Sequence, residues 1–320
     1  MTPTLHIVSS CTDGKRGAIT DLHRLGSYPQ RKVDERFAVW WAALELADAD
    51  AKVAATDLYV GDHWSVSREL PTLAQLQGWD ARLWVLSAGY GLLPADARVA
   101  PYAATFQPRH ADSVSHQSGS ARNAEHKEWW RLLASRSLDC STQPRSLAAL
   151  AQSDPHGIIL VVASPPYLLA AEDDLCGAVS VLSTRGALLL VSSATQHLAP
   201  ALQARHITSH AQLTHLVRGS LLSLHARVAR WLIETSAQHQ FRVTAIEQMV
   251  TDAVRWLPAP ARHDRRPAED SEVLQFMRTR IEGDPRTSHS RLLREWRGAG
   301  RACEQSRFSQ LFRHLQEQMK

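Results

Sequence analysis

The sequence predicts an α/β protein with an open, mostly parallel sheet flanked by helices and a small helical region at the C-terminus. Short apolar runs of strand length alternate with segments of helical periodicity, which is typical of a parallel sheet with crossover helices. At 320 residues the chain exceeds one average domain. We expect an α/β domain that carries the functional site over 1–257, a linker rich in proline and arginine over 258–270, and basic helices over 271–320.

Four apolar runs have the length of strands, at 5–9, 83–86, 157–163 and 187–191. The third is almost entirely β-branched or leucine, which indicates burial on both faces. Each of the four runs ends in a turn that contains serine, at Ser9 and Ser10, Ser87, Ser164, and Ser192 and Ser193. Because ligands bind beyond the carboxyl ends of parallel strands, these serine corners are expected to line one polar cleft.

Two segments have the pattern of helices. Residues 30–56 contain an apolar stripe from Phe37 to Leu46 at roughly helical spacing, and 121–133 is a second helix. The Ser-, His- and Gln-rich stretch 110–120 is predicted to be a mobile loop.

Two loops are unusual in composition. Residues 10–17 read Ser-Cys-Thr-Asp-Gly-Lys-Arg-Gly, which is too polar for a core and suited to a binding site. After the strand 83–86, Gly89 and Gly91 flank Tyr90, so we expect positive φ there and a close approach of the backbone to a ligand. An ordinary strand-to-helix turn is the alternative interpretation.

Composition excludes several classes of protein. No apolar run approaches the roughly 20 residues that span a bilayer, and the N-terminus lacks a signal-peptide pattern, so we expect a cytoplasmic protein with no membrane partner. The four cysteines, Cys11, Cys140, Cys176 and Cys303, form no Cys-x-x-Cys pair. We therefore expect no metal site, no disulfide scaffold and no cofactor. The oligomeric state is left open.

The net charge of +4 resides entirely in 260–320, which contains 13 Lys and Arg against 9 Asp and Glu. A basic end indicates a polyanionic partner such as double-stranded DNA, with a solvated helical face as the alternative. Segments 288–296 and 303–315 around a glycine turn suggest a helix-turn-helix with Arg291, Arg294 and Arg307 facing DNA. Ser220 is predicted to cap a helix whose start, with Arg218 and Arg227, binds phosphate, with a plain amphipathic helix as the alternative.

Two motifs together suggest a family. Cys-Thr-Asp-Gly-Lys at 11–15, and Leu-Ser-Ala-Gly-Tyr-Gly-Leu-Leu-Pro at 86–94 with Pro101 and Tyr102, resemble a bacterial domain family related to the peroxide-stress YaaA proteins. The resemblance covers about the first third of the chain. In overall character the chain also resembles the anti-phage DNA glycosylases that excise glucosylated hydroxymethylcytosine. That second resemblance implies excision of a base from phage DNA, leaving an abasic site.

A glycosylase must flip its target base into a pocket and stabilise an oxocarbenium-like sugar, which suits a fixed carboxylate. Asp13 is the candidate carboxylate, with Lys15 or Arg16 holding the flanking phosphate or stabilising the departing base. Capping of a turn is the alternative role for Asp13. The remaining candidates, for stacking on the base or bonding its polar edge, are Cys11, Ser87, Tyr90, Gly91, Tyr102, Ser164 and Tyr167.

Four alternatives stay open. Lys15 could act as a Schiff-base nucleophile, or Cys11 as a thiol nucleophile. The enzyme could be a base-exchanging transglycosylase. The protein could also be a non-catalytic DNA-binding stress protein of the YaaA kind.

Overall fold

The structure, a computed structural model, describes residues 3–29, 32–138, 142–183, 188–195, 197–236, 241–259, 265–284 and 287–318. The chain divides into two compact units, residues 1–258 and 259–320, each described by itself. The described residues do not include Cys140, the first residue of the predicted strand 187–191 or part of the predicted linker 258–270.

A six-stranded sheet forms the centre of the first unit, confirming the predicted α/β class. Its strand order is β4-β3-β1-β6-β7-β8, and every neighbouring pair is parallel except β3 with β4. A separate antiparallel pair joins β2 and β5. The strands are β1 Thr4–Ser10, β2 Val53–Ala54, β3 Asp80–Ser87, β4 Gly91–Pro94, β5 Arg98–Val99, β6 Ile158–Val162, β7 Leu188–Ser192 and β8 His206–Thr208.

Helices connect and cover the strands. Those of the first unit are α1 Val33–Glu45, α2 Ala55–Leu58, α3 Asp62–Ser67, α4 Leu70–Leu76, α5 Gly119–Ala134, α6 Leu147–Ser153, α7 Pro165–Ala170, α8 Glu172–Val181, α9 Pro200–Gln203, α10 Thr214–Val217, α11 Leu224–Thr235 and α12 Val243–Arg255. Short 3-10 turns lie at Asp21–His23, Leu25–Ser27, Ala49–Ala51, Ala211–Leu213 and Leu221–Ser223.

The sheet separates two apolar cores because successive side chains of a strand point to opposite faces. On β1, Leu5 and Ile7 join one core with α4, α11 and α12, whereas Val8 joins the other with α1, α5 and α8. Both faces of the central strands are thus covered, as the apolar runs predict. The polar residues that follow these strands lie beyond the cores at the carboxyl edge of the sheet.

Several predicted elements need correction. The helix expected over 30–56 ends at Glu45, and Val53 already belongs to a strand. The segment after Ser87 is a tight hairpin into β4, which is antiparallel to β3. The loop predicted to be mobile over 110–120 contains four consecutive buried residues, from Asp112 to Ser115, so it is packed against the domain. The helix predicted over 121–133 is confirmed as α5.

The second unit is a three-helix arrangement with its own core, comprising α13 Asp270–Gly283, α14 His289–Gly298 and α15 Gln305–Gln318. Trp296 and Phe308 are fully buried there, with Met277 and Leu315. The predicted helical C-terminal region is therefore present. No helix in the described part of the chain combines the length and the hydropathy needed to cross a bilayer.

Candidate functional site

The Cys11–Lys15 loop begins where β1 ends and is held by backbone contacts. Cys11 N donates to Leu86 O at 3.0 Å, which extends the ladder between β1 and β3. Thr12 Oγ1 donates to Val60 O at 2.7 Å, and Val60 N donates to Gly14 O at 3.0 Å. A Cβ on Gly14 would lie 2.9 Å from Val60 Cγ2, so the close approach requires glycine. The polar composition of 10–17 therefore produces a fixed loop.

A connected group of buried hydroxyls lies beside this loop and surrounds the Cys11 thiol. Ser87 Oγ is 2.7 Å from Tyr102 Oη, which is 3.1 Å from Tyr59 Oη. Cys11 Sγ is 3.2 Å from Tyr167 Oη and receives a longer bond from Tyr102. We call these five residues the tyrosine cluster. It unites the ends of β1 and β3 with residues far away in sequence.

Burial keeps these phenols protonated. Desolvation raises the pKa of Tyr59, Tyr102 and Tyr167 well above 10, with the nearby Cys11 as the next cause for each. Their hydroxyls remain neutral hydrogen-bonding groups at physiological pH. The tyrosine cluster is thus unsuited to proton abstraction. Its five members are at most 6% exposed, so Tyr102 and Tyr167 are not exposed for the predicted stacking on a base.

Lys15 lies between the tyrosine cluster and the surface. Its ammonium donates to Thr12 O and Asp13 O, both at 3.1 Å, and sits 4.5 Å from the centre of the Tyr102 ring. Burial lowers the pKa of Lys15 below its usual value, although Cys11, Asp13 and Asp112 act in the opposite direction. The amine is therefore held in place by carbonyls and an aromatic face, both of which favour its charged form.

Asp13 is the exposed member of the loop, with 72% of its side chain accessible. Its carboxylate pairs with His110 Nε2 at 3.6 Å. This pairing, reinforced by Lys15, lowers the pKa of Asp13 although burial acts in the opposite direction. The same pairing raises the pKa of His110 above 6.5. An ionised carboxylate, an imidazole and an ammonium are consequently grouped at the surface above the tyrosine cluster.

This arrangement offers two chemical capabilities. The accessible Asp13 carboxylate can stabilise a developing positive charge or orient a water molecule. Lys15 can stabilise a developing negative charge, because its partial burial strengthens electrostatic interactions. Within the described residues, no group of three or more His, Cys, Asp and Glu side chains is arranged to hold a metal ion.

The other predicted ligand-contacting residues are distributed unevenly. Ser164 Oγ accepts from Gln107 Nε2 at 3.4 Å, on the loop that also carries His110. Tyr90 is buried with its hydroxyl bonded to the Ala100 backbone, so it packs behind Tyr102 at a ring-centre distance of 5.2 Å. It is not exposed for stacking on a base.

The glycines that flank Tyr90 allow neighbouring side chains to pack closely against the backbone. Gly91 has φ of 77°, and a Cβ there would lie 3.2 Å from Leu133 Cβ. Gly89 lacks the positive φ predicted for it, and its missing side chain makes room for the Tyr102 ring. The expected close approach of this backbone to a ligand is therefore replaced by a close approach to α5 and Tyr102.

The four serine corners do not share one opening. Ser9 belongs to the opposite face of the sheet, where its hydroxyl contacts His63 Nε2 at 3.1 Å and Ser67 Oγ at 2.8 Å. Ser192 is fully buried, and its hydroxyl has no hydrogen-bond partner within the described structure. Among the corner hydroxyls for which the structure describes a side-chain bond, those of Ser87 and Ser164 contact residues around the Cys11–Lys15 loop, so the cleft is smaller than the sequence suggests.

Two of the residues predicted to bind DNA phosphate anchor a loop instead. Ser220 makes no helix-capping bond; its hydroxyl donates to Asp62 Oδ2 at 3.2 Å. Arg227 pairs with Asp62 Oδ1 at 2.6 Å. Arg16 and Arg218 are exposed, and no hydrogen bond or ion pair of their side chains occurs within the described structure, which leaves both guanidinium groups available to a ligand.

In the second unit, too, some of the arginines predicted to bind DNA have partners within the protein. Arg307 binds Asp270 and, at 3.0 Å, the carbonyl of Ala268, which links α15 to the start of α13. Arg291 lies 3.4 Å from Asp284. Arg294 is exposed, with no side-chain partner among the residues the structure describes. Of the three predicted DNA contacts, Arg294 is therefore the most available.

Several residues at the candidate site were not predicted from the sequence, among them Tyr59, His110, Arg24 and Arg109. Tyr59 follows α2, and its backbone bridges to Lys15; no local periodicity distinguishes it. His110 lies in the polar stretch interpreted only as a loop. Arg109 precedes it with φ of 62°, an uncommon value for a residue with a side chain. This outlier is visible only in the structure.

A cavity of about 330 Å³ lies elsewhere, between Trp41, Tyr90 and Arg98. Neither Lys15 nor any member of the tyrosine cluster lines it, so it is separate from the candidate site. Comparison of the chain with family models, with curated proteins and with solved structures gives no match.

Proposed function

We propose that this protein is a DNA glycosylase that excises a modified base, of the glucosylated hydroxymethylcytosine type, from phage DNA and leaves an abasic site. One observation carries the proposal. An ionised, accessible carboxylate, Asp13, is fixed beside a partly buried ammonium, Lys15, at the carboxyl end of a central parallel strand. Cleavage of an N-glycosidic bond develops charges of both signs, which these two groups can stabilise.

In the proposed reaction the bond between the base and the anomeric carbon breaks, and its electron pair leaves with the base. Asp13 stabilises the oxocarbenium-like sugar and accepts a proton from the water that attacks the anomeric carbon. Lys15 stabilises the negative charge of the departing base, which then takes the proton from Asp13 and leaves as the neutral free base. His110 keeps Asp13 ionised, because their pairing lowers the pKa of the carboxyl group.

Positive side chains around Asp13 support a nucleic-acid substrate. Arg24 is close enough to contribute to the lowered pKa of Asp13, and Arg16 and Arg109 are exposed in the adjoining loops. Guanidinium groups bind phosphate strongly, and duplex DNA carries closely spaced phosphates. The basic composition of 260–320 gives a second cationic region. Cytoplasmic phage DNA is the polyanion that fits this proposal.

Released base is the measurement that tests the proposal. Purified protein is incubated with phage DNA that carries glucosylated hydroxymethylcytosine and with the same sequence carrying cytosine. We expect free modified base and alkali-labile sites from the first DNA and neither from the second. Modified DNA that stays intact while the protein binds it would overturn the enzymatic proposal and favour a non-catalytic DNA-binding protein.

A base-exchanging transglycosylase is distinguished in the same reaction. Exchange requires a free base as acceptor and restores an intact N-glycosidic bond, so no alkali-labile site accumulates. Labelled free base is added, and the DNA is examined for label. We expect none to be incorporated; incorporation would replace hydrolysis by exchange.

A further inference from the structure

An exposed apolar tip begins at the end of α10 and extends into the segment before α11. Leu216, Leu221 and Leu222 are 42%, 63% and 80% accessible, respectively, within seven residues of chain. Isolated exposed leucines are normal on protein surfaces, but a group of them marks an interaction site. We call residues 216–222 the leucine loop.

The leucine loop is rigidly attached at its base. Asp62 accepts from Ser220 Oγ at 3.2 Å and pairs with Arg227 at 2.6 Å, and Arg227 Nε donates to Ser223 Oγ at 2.9 Å. A Cβ on Gly219 would lie 2.3 Å from Arg227 Nε, so only glycine allows this packing. Arg218 has φ of 51° and ψ of 175°, a sparsely populated conformation for a residue with a side chain. The contacts hold the tip outward.

This attachment places the leucine loop close to the candidate site. Asp62 follows Val60 by two residues, a separation of about 7 Å at most. Val60 itself bonds Thr12 and Gly14 of the Cys11–Lys15 loop. The same short segment therefore supports both Asp13 and the leucine loop. No partner within the described residues covers Leu221 or Leu222.

We propose that Leu221 and Leu222 form a wedge that enters duplex DNA and fills the space left when the target base flips out, with Arg218 bound to the flanking phosphate. This inference rests on the proposed glycosylase function. Extruding a base requires unstacking, and inserted apolar side chains stabilise the opened step. The unpaired guanidinium of Arg218, adjacent to the apolar tip, complements the phosphate that flanks such a step.

The test uses the full-length double variant Leu221→Ala, Leu222→Ala. A duplex carries one modified cytosine with 2-aminopurine as its neighbour, so unstacking raises the fluorescence. We expect wild-type protein to raise it and the variant to raise it at least tenfold less at saturating protein. Base release from duplex should fall at least tenfold in the variant, whereas release from single-stranded DNA, which needs little unstacking, should stay within twofold.

Leu46→Ala, Leu76→Ala is the matched control, because both leucines are at least 77% accessible and lie outside the leucine loop. It should behave as wild type on duplex. Equal fluorescence with wild-type protein and with the wedge variant would overturn the wedge, as would equal losses on duplex and single strands. If wild-type protein unstacks the duplex but releases no base, the glycosylase proposal fails while the wedge stands.

Discussion

Replacing Gly89 with alanine tests whether glycine is required at this position of the hairpin to accommodate the Tyr102 ring. A Cβ at this position would lie 2.4 Å from Tyr102 Cε2 and 2.5 Å from Cδ2, whereas carbon atoms normally approach to about 3.5–4.0 Å. The new Cβ is fixed to the backbone, so the Tyr102 ring must move by about 1 Å or more. The packing of the ring against Tyr90 and Trp40 opposes this movement.

The cost can be worked from the contacts of the ring. Overpacking of a dense core costs about 1–3 kcal/mol. Displacing Tyr102 also weakens its bonds to Ser87 and Tyr59, each contributing about 0.5–1.5 kcal/mol. The free energy of unfolding should therefore fall by about 3 kcal/mol or more in Gly89→Ala.

Urea-induced unfolding measures this loss. Reaction of the native protein with a thiol reagent, assigned to Cys11 by peptide mapping because Cys176 is also free, measures the accessibility of Cys11, which is 6% exposed. Reaction of Cys11 should be faster in Gly89→Ala. Gly177→Ala is the control: its nearest new contact is Ala148 Cβ at 3.2 Å, and alanine favours a helix, so stability should change by less than about 1 kcal/mol. Unchanged stability and thiol reactivity in Gly89→Ala would refute the reasoning.

Three further predictions concern charged groups. In His110→Ala, the loss of the Asp13 partner should lower stability by less than about 1 kcal/mol, because Asp13 is largely exposed. The pKa of His110 is raised above 6.5, so its contribution to stability is lost as the pH rises through the raised value. The pKa of Asp13 is lowered below 3.8, so its contribution is lost as the pH falls through the lowered value. The difference from wild type, measured by urea unfolding across pH, should thus be largest between these values; a difference that grows at alkaline pH would contradict the pairing. Lys15→Gln should slow base release at least tenfold, and wild-type protein should give no borohydride-trapped DNA adduct, because the two carbonyls bonded to the Lys15 amine favour its charged form although burial lowers its pKa; a trapped adduct would make Lys15 the nucleophile. Arg294→Ala should weaken DNA binding on all sequences and reduce the salt dependence by about one ion, whereas Arg307→Ala should chiefly lower thermal stability; unchanged binding in Arg294→Ala would argue against a DNA contact by α14.

Much of the fold can be predicted from the sequence, because buried parallel strands are apolar runs that can be recognised locally. β1, β3 and β6 were all predictable in this way. β4 was not predictable, because the sequence Gly91–Pro94 is typical of a turn and forms a strand only by pairing with β3. β8, His206–Thr208, is a short, partly polar edge strand without an apolar run.

The site was less predictable, because its members converge through tertiary structure. Cys11 and Tyr167 are 156 positions apart. Alternation along β1 places Ser9 on the face of Leu5 and Ile7, but local sequence does not indicate that the tyrosine cluster lies on the other face. The Cys11–Lys15 loop was recognisable because its concentration of polar groups and glycines is unsuited to a core.

The rate of base release by Asp13→Asn under single-turnover conditions tests the central claim most directly. The substitution keeps the shape of the side chain and removes its charge. Asp21→Asn, at an exposed aspartate on the neighbouring 3-10 turn, is the matched control. Modified duplex DNA should lose its base about 100-fold or more slowly with Asp13→Asn, and at the wild-type rate with Asp21→Asn. Wild-type release of the base by Asp13→Asn would contradict the assignment of Asp13 to the reaction.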